Sequence, residues 1–105
     1  MAVEALTDTN FKEKTQSGVS IVDFWATWCG PCRMQSPVLD ALADDAAYHN
    51  ISFYKVDVDE NKAVPAEFAI RAIPTLVVLK DGQEVEKLTG FHNKEQLSEI
   101  LHKYA

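Results

Sequence analysis

Hydrophobic positions fall into short blocks whose spacing switches between strand-like and helical along the chain. Residues 3–6 suit a short first strand. Thr7, Asp8 and Thr9 then offer side-chain oxygens to cap a helix over about residues 10–16, and Ser17-Gly18 punctuates its end. Residues 20–25, Ser-Ile-Val-Asp-Phe-Trp, are a nearly continuous β-branched and aromatic run. Such a run is the composition of a central strand buried on both faces. Residues 33–47 carry Met34, Val38, Leu42 and Ala46 at four-residue spacing, with Leu39 and Ala43 beside them and Asp40, Asp44 and Asp45 opposite. That pattern predicts an amphipathic helix, with a kink at Pro37.

The second half repeats the alternation. Residues 51–58, with Phe53, Tyr54 and Val56, read as a strand, and residues 59–70, acidic and then Ala-rich, as a short helical crossover. Ile73-Pro74-Thr75 leads into the apolar run 76–79, and Asp81-Gly82 is a tight-hairpin signal. Residues 84–89 set Val85 and Leu88 against Glu84, Glu86 and Lys87, an irregular alternation that suits an edge strand ended by Gly90. Asn93-Lys94-Glu95-Gln96 resembles a capping box, and Leu97, Ile100, Leu101 and Tyr104 form the stripe of a final helix. Strands alternating with helices, then a hairpin and a closing helix, predict an α/β sandwich around a mixed sheet.

Composition narrows the class. The 105 residues hold 10 Lys+Arg against 16 Asp+Glu, so 10 − 16 gives a formal net charge of −6. The length suits one domain spanning 1–105. The acidic balance argues against nucleic acid or an anionic membrane as partner. No stretch approaches the roughly 20 apolar residues that span a bilayer. The start Met1-Ala2-Val3-Glu4 lacks a basic segment followed by an apolar run, so a cytoplasmic location is expected. Asn50-Ile51-Ser52 fits a glycosylation sequon that is then idle. Two cysteines are too few for a disulfide framework, so they need another explanation.

Trp28-Cys29-Gly30-Pro31-Cys32 lies between the buried strand and the amphipathic helix. Cys29 then sits at a helix N-terminus, where free N–H groups and the macrodipole favour a thiolate. Cys32 follows one helical turn later, close enough to bridge. Gly30 permits close approach of a partner backbone, and Pro31 suits a first helical turn. This arrangement suits dithiol–disulfide exchange: Cys29 attacks a disulfide of another protein, and Cys32 resolves the mixed disulfide. Buried structural cysteines are a poor fit with Gly-Pro between them. A metal site is no better, because Cys-x-x-Cys supplies two ligands where structural zinc needs four, and His49, His92 and His102 are dispersed. Asp57-Val58-Asp59-Glu60-Asn61 opens like a calcium loop but has Lys62 where a glycine is needed.

Residues 25–32, Trp-Ala-Thr-Trp-Cys-Gly-Pro-Cys, resemble the active-site stretch of the thioredoxin family. So do Val22-Asp23-Phe24, Lys55-Val56-Asp57-Val58-Asp59, Ile73-Pro74-Thr75, Asp81-Gly82 and Gly90, in that order and over nearly the whole chain. The resemblance implies the thioredoxin fold, with about five strands and about four helices. It also implies a general protein-disulfide reductase without bound cofactor or metal. Its disulfide would be returned to the dithiol by NADPH-dependent thioredoxin reductase. From the residues alone, Asp23 is either a buried carboxyl beneath the motif, able to exchange a proton with Cys32, or a strand-end group facing water. The resemblance implies the buried role. It also implies Lys55 as a partner of Asp23, a cis Ile73-Pro74 bond facing the cysteines, and Ile73 pairing with the substrate chain. Trp28, Gly30, Pro31, Ile73, Pro74 and Gly90 then form an apolar docking patch on a monomer. Two rivals stay open: an oxidase or isomerase on this fold, and a non-catalytic binding module. Arg33, Ala69 and Ala72 depart from the family pattern, where lysine, glycine and glycine are common.

Overall fold

The computed structural model describes residues 3–105, so Met1 and Ala2 lie outside the described residues. Among the described residues, five strands form one sheet in the order β1-β3-β2-β4-β5. They span Glu4–Ala5 (β1), Val19–Trp25 (β2), Ile51–Asp57 (β3), Thr75–Lys80 (β4) and Gln83–Thr89 (β5). β1, β3 and β2 run parallel, while β4 is antiparallel to both β2 and β5. The helices are Phe11–Thr15 (α1), Gly30–Ala43 (α2), Ala63–Glu67 (α3) and Lys94–Leu101 (α4), with a 3-10 turn at Ala46–Tyr48.

Alternation along β2 and β4 splits the core into two layers. Ile21, Leu76 and Val78 pack with Leu39 and Leu42 of α2 and Leu97 and Leu101 of α4. Val22, Phe24, Val77 and Leu79 face the other way, onto Phe11 of α1 and Val64 of α3. Asp23 shares the Ile21 face, beneath α2, because side chains two apart on a strand share a face.

Several local expectations needed correction. α2 begins at Gly30, in keeping with Cys29 at its N-terminus, but ends at Ala43, and the chain tightens into a 3-10 turn at Ala46, so Tyr48 rather than Ala46 is buried. The inward face of α2 is Cys32, Gln35, Leu39 and Leu42, while Met34 stands exposed. The crossover helix shrinks to the five residues of α3. On β5 the register slips between Val78 and Leu79, so that Val78 opposes Glu86 and Leu79 opposes Glu84. Val85 is the extra residue of this bulge and is exposed, which explains the irregular alternation. Asp81 and Gly82 take φ of 50° and 82°, the left-handed pair of a type I′ hairpin turn.

Capping also departs from expectation. The Asn10 N-cap of α1 makes no side-chain cap bond. The Asp8 carboxylate instead accepts from the backbone N–H groups of Lys62, Ala63 and Val64 at the start of α3. At α4 the expected capping box forms, with Asn93 and Gln96 each bonding the other's backbone N–H at 2.8 Å. Tyr104 lies beyond the end of α4, and its hydroxyl donates to Glu86 on β5 at 2.8 Å.

Candidate active site

The parallel β2 delivers the chain to the carboxyl end of the sheet, where α/β folds place their ligands. Ala26 is fully buried, and Trp28 projects with two-thirds of its surface exposed. Cys29 is the N-cap of α2, with extended backbone, and Pro31 occupies the first turn, where its missing N–H costs nothing. Cys29 and Cys32 are joined by a disulfide across a Cα–Cα distance of 5.2 Å. Both are almost buried, packed with Ala26 against Trp25, Val58 and Ile73.

The backbone around the disulfide favours negative charge on the first sulfur. The Cys32 N–H donates to Cys29 Sγ at 3.2 Å, and the N-terminus of the 14-residue α2 points at the same atom. When the bond is reduced, the helix dipole and this N–H stabilise a thiolate there. The Arg33 guanidinium donates to Thr27 O at 3.0 Å, which keeps a cation near the motif.

The 73–74 segment closes the site from the sheet side. The Ile73-Pro74 peptide bond is cis, and Ile73 O lies 3.8 Å from Cys29 Sγ. Pro74 is buried, so its ring is not part of the exposed patch, while Ile73 is half-buried. The Gly90 N–H donates to Pro74 O at 2.7 Å. Gly90 has φ of 89°, and a Cβ there would meet nothing within 4 Å, so glycine is required by backbone conformation rather than by space. Trp28, Val58, Pro65, Ile70, Arg71, Ala72 and Ile73 line an open, mainly apolar groove of about 220 Å³ beside the disulfide.

Asp23 lies on the other side of Cys32. It is 3% exposed, and its Oδ1 has no hydrogen-bond partner. Burial raises its pKa from the ordinary 3.8 to about 7, partly opposed by the charge of Lys55. Asp23 and Lys55 are register partners on β2 and β3. The Lys55 ammonium sits 5.3 Å from the centre of the Trp25 ring, so it acts on Asp23 through charge while resting on an aromatic face. Asp23, Trp25, Cys32, Arg33, Ser36, Pro37, Asp40 and Lys55 enclose a cleft of about 380 Å³ that connects the carboxyl to the second cysteine.

Two supporting contacts and one exposed side chain had little or no signal in the sequence. The Trp28 indole N–H donates to Asp59 Oδ2 at 2.8 Å. Gln35, fully buried, bonds both the N–H and the C=O of His92, at 2.9 and 3.0 Å, and so ties α2 to the segment after Gly90. Among the described residues, Phe91, next to Gly90, is one of four exposed large apolar residues, with Trp28, Met34 and Val85. Gln35 was legible in part, since it falls on the Cys32–Leu39 face. Its partner, a backbone 57 residues away, was not.

A redox-active cysteine pair opening a helix at the end of a buried strand, closed by a cis-proline loop, defines a thiol–disulfide oxidoreductase. The thioredoxin family model matches residues 2–103. A thioredoxin of Staphylococcus haemolyticus is 53% identical over 104 residues, covering 99% of each chain, and one of Staphylococcus aureus is 51% identical over the same span. Among solved structures, a thioredoxin of Malassezia sympodialis is similar with a TM-score of 0.88 and 38% identity, covering 98% of this chain and 90% of that one. A mutant thioredoxin of Halobacterium salinarum matches with the same TM-score and coverage at 32% identity. The chain belongs to the thioredoxin family. It is a protein-disulfide oxidoreductase working by dithiol–disulfide exchange, and its redox group is its own Cys29–Cys32 pair. Among the described residues, no cluster of His, Cys, Asp and Glu could hold a metal ion, and no helix is long and apolar enough to cross a membrane.

Proposed function

We propose that Cys29 is the attacking thiolate and Cys32 the resolving thiol of a general protein-disulfide reductase. The observation that carries this assignment is the Cys32 N–H aimed at Cys29 Sγ from the helix N-terminus. Cys29 attacks one sulfur of a substrate disulfide, forms the mixed disulfide and expels the other substrate sulfur as a thiolate. Cys32 loses its proton and attacks Cys29 Sγ, which closes the internal disulfide and releases the second substrate thiolate. Two electrons pass to the substrate. The Asp23 carboxylate takes the Cys32 proton through the shared cleft, which is wide enough for water, and its pKa near 7 matches that task. Lys55 tempers the proton affinity of Asp23. Trp28, Gly30, Pro31, Ile73 and Gly90 form the docking surface, with Pro74 shaping it from beneath, and the Ile73 backbone pairs with the extended substrate chain.

The partners are disulfide-containing proteins and thioredoxin reductase, which returns the disulfide to the dithiol with electrons from NADPH. The chain acts as a monomeric single domain in the cytoplasm, with neither nucleic acid nor membrane as partner. One sheet with a core layer on each face supports the single-domain reading. Insulin reduction with NADPH and thioredoxin reductase tests the proposal. NADPH consumption should require the wild-type chain and disappear with Cys29→Ser. Absence of turnover with the wild type would contradict it.

A further inference from the structure

Helix α3 has five residues, too few to hold itself, and its Lys62 N-cap offers no side-chain bond. It is held instead by two opposite charges from distant elements. At its start, Asp8 Oδ1 accepts from Val64 N–H at 2.8 Å, and Asp8 Oδ2 accepts from Lys62 and Ala63 N–H, both at 3.1 Å. The Asp8 N–H donates in turn to Oδ1 of the buried Asn61 at 2.9 Å. At the other end, Lys87 Nζ of β5 donates to Phe68 O at 2.7 Å and to Ala69 O at 3.3 Å. An anion at the N-terminus and a cation at the C-terminus complement the helix dipole. Ala69 has φ of 52°, a left-handed conformation that disfavours any residue with a Cβ, so the turn out of α3 depends on such restraint.

The docking groove begins immediately beyond that turn. Pro65 of α3 lines it, Ile70 N–H donates back to Pro65 O at 2.9 Å, and Ile70, Arg71, Ala72 and Ile73 complete one wall. We propose that Asp8 and Lys87 are positioning residues for substrate docking: by clamping α3 at both ends they fix the wall that leads to Ile73 and the disulfide. The inference rests on the reading that polypeptide substrates dock in this groove. Neither side chain touches a cysteine, so the clamp affects recognition and leaves the sulfur chemistry alone.

Lys87, an exposed residue, gives the cleaner test. Reduced wild type, Lys87→Met, Lys87→Arg and Asp8→Ala are assayed on insulin and on a small disulfide, 4,4′-dithiodipyridine. Lys87→Met and Asp8→Ala should raise KM for insulin roughly fivefold, the ratio carried by losing an ordinary helix cap, with kcat and the small-disulfide rate unchanged. Lys87→Arg should restore the wild-type KM. Amide exchange at residues 70–72 should quicken in Lys87→Met. An unchanged KM, equal slowing on both substrates, or unchanged exchange at 70–72 would overturn the clamp. A wild type that fails on insulin would instead sink the docking reading itself.

Discussion

At the scale of single residues, Asp23 carries the most consequence. A carboxyl with no partner for Oδ1 on a buried strand is pushed toward its protonated form by its surroundings. Its folded-state pKa of about 7 lies above the ordinary 3.8, so between those values the folded state binds the extra proton. Stability therefore falls as pH rises from about 4 to about 7 and is flat beyond. Asp23→Asn, which mimics the protonated form, should unfold at higher urea than wild type at pH 8, by as much as roughly 4 kcal/mol, with the gain vanishing toward pH 4. A gain equal at both pH values would contradict the buried carboxyl with its raised proton affinity. An ionisable group that lowers stability at neutral pH fits a proton-exchange role better than a packing one. Sequence could not decide its burial, because a lone Asp in an apolar run suits a strand end as well as a central strand. The two neighbours of β2 in the sheet, set by pairing over long separations, decide it.

Secondary-structure elements were legible where a periodic signal and a local terminator coincided. β2 and β4 announced themselves as apolar runs, and α4 through its capping box. That box is a local device with a measurable worth: Asn93→Ala should cost about 1 kcal/mol in urea unfolding. No loss would mean that packing of Leu97 and Leu101, rather than the cap, fixes the start of α4. Elements were misread where a partner distant in sequence governs them. Asp8 looked like a cap for the helix beside it and serves one more than 50 residues away. The α3 segment looked longer because its Ala-rich stretch is helix-compatible, yet Pro65 and the left-handed Ala69 confine it. The β5 bulge is invisible locally because it is defined against β4.

For the whole molecule, the core stands without the disulfide. Both apolar layers lie across the sheet, and the cysteines sit in a small third cluster at its end, joined to the second layer through Val58 and Ile73. The fold can therefore keep its shape while the pair cycles between dithiol and disulfide. With no third cysteine in the chain, no internal thiol competes to resolve the mixed disulfide. The net charge of −6 favours solubility, and the proposed function assigns recognition to the apolar groove beside Cys29. The candidate site was legible to the level of the Cys-Gly-Pro-Cys motif and its family. The groove was legible only through Trp28 and Ile73, because Val58, Pro65 and Ile70 come from separate segments and join them only in the fold. The order of attack by the two sulfurs is the central claim, and trapping tests it most directly. Cys32→Ser, mixed with a disulfide-containing polypeptide, should accumulate a mixed disulfide that mass spectrometry places on Cys29. Trapped species appearing only with Cys29→Ser, linked through Cys32, would contradict the account.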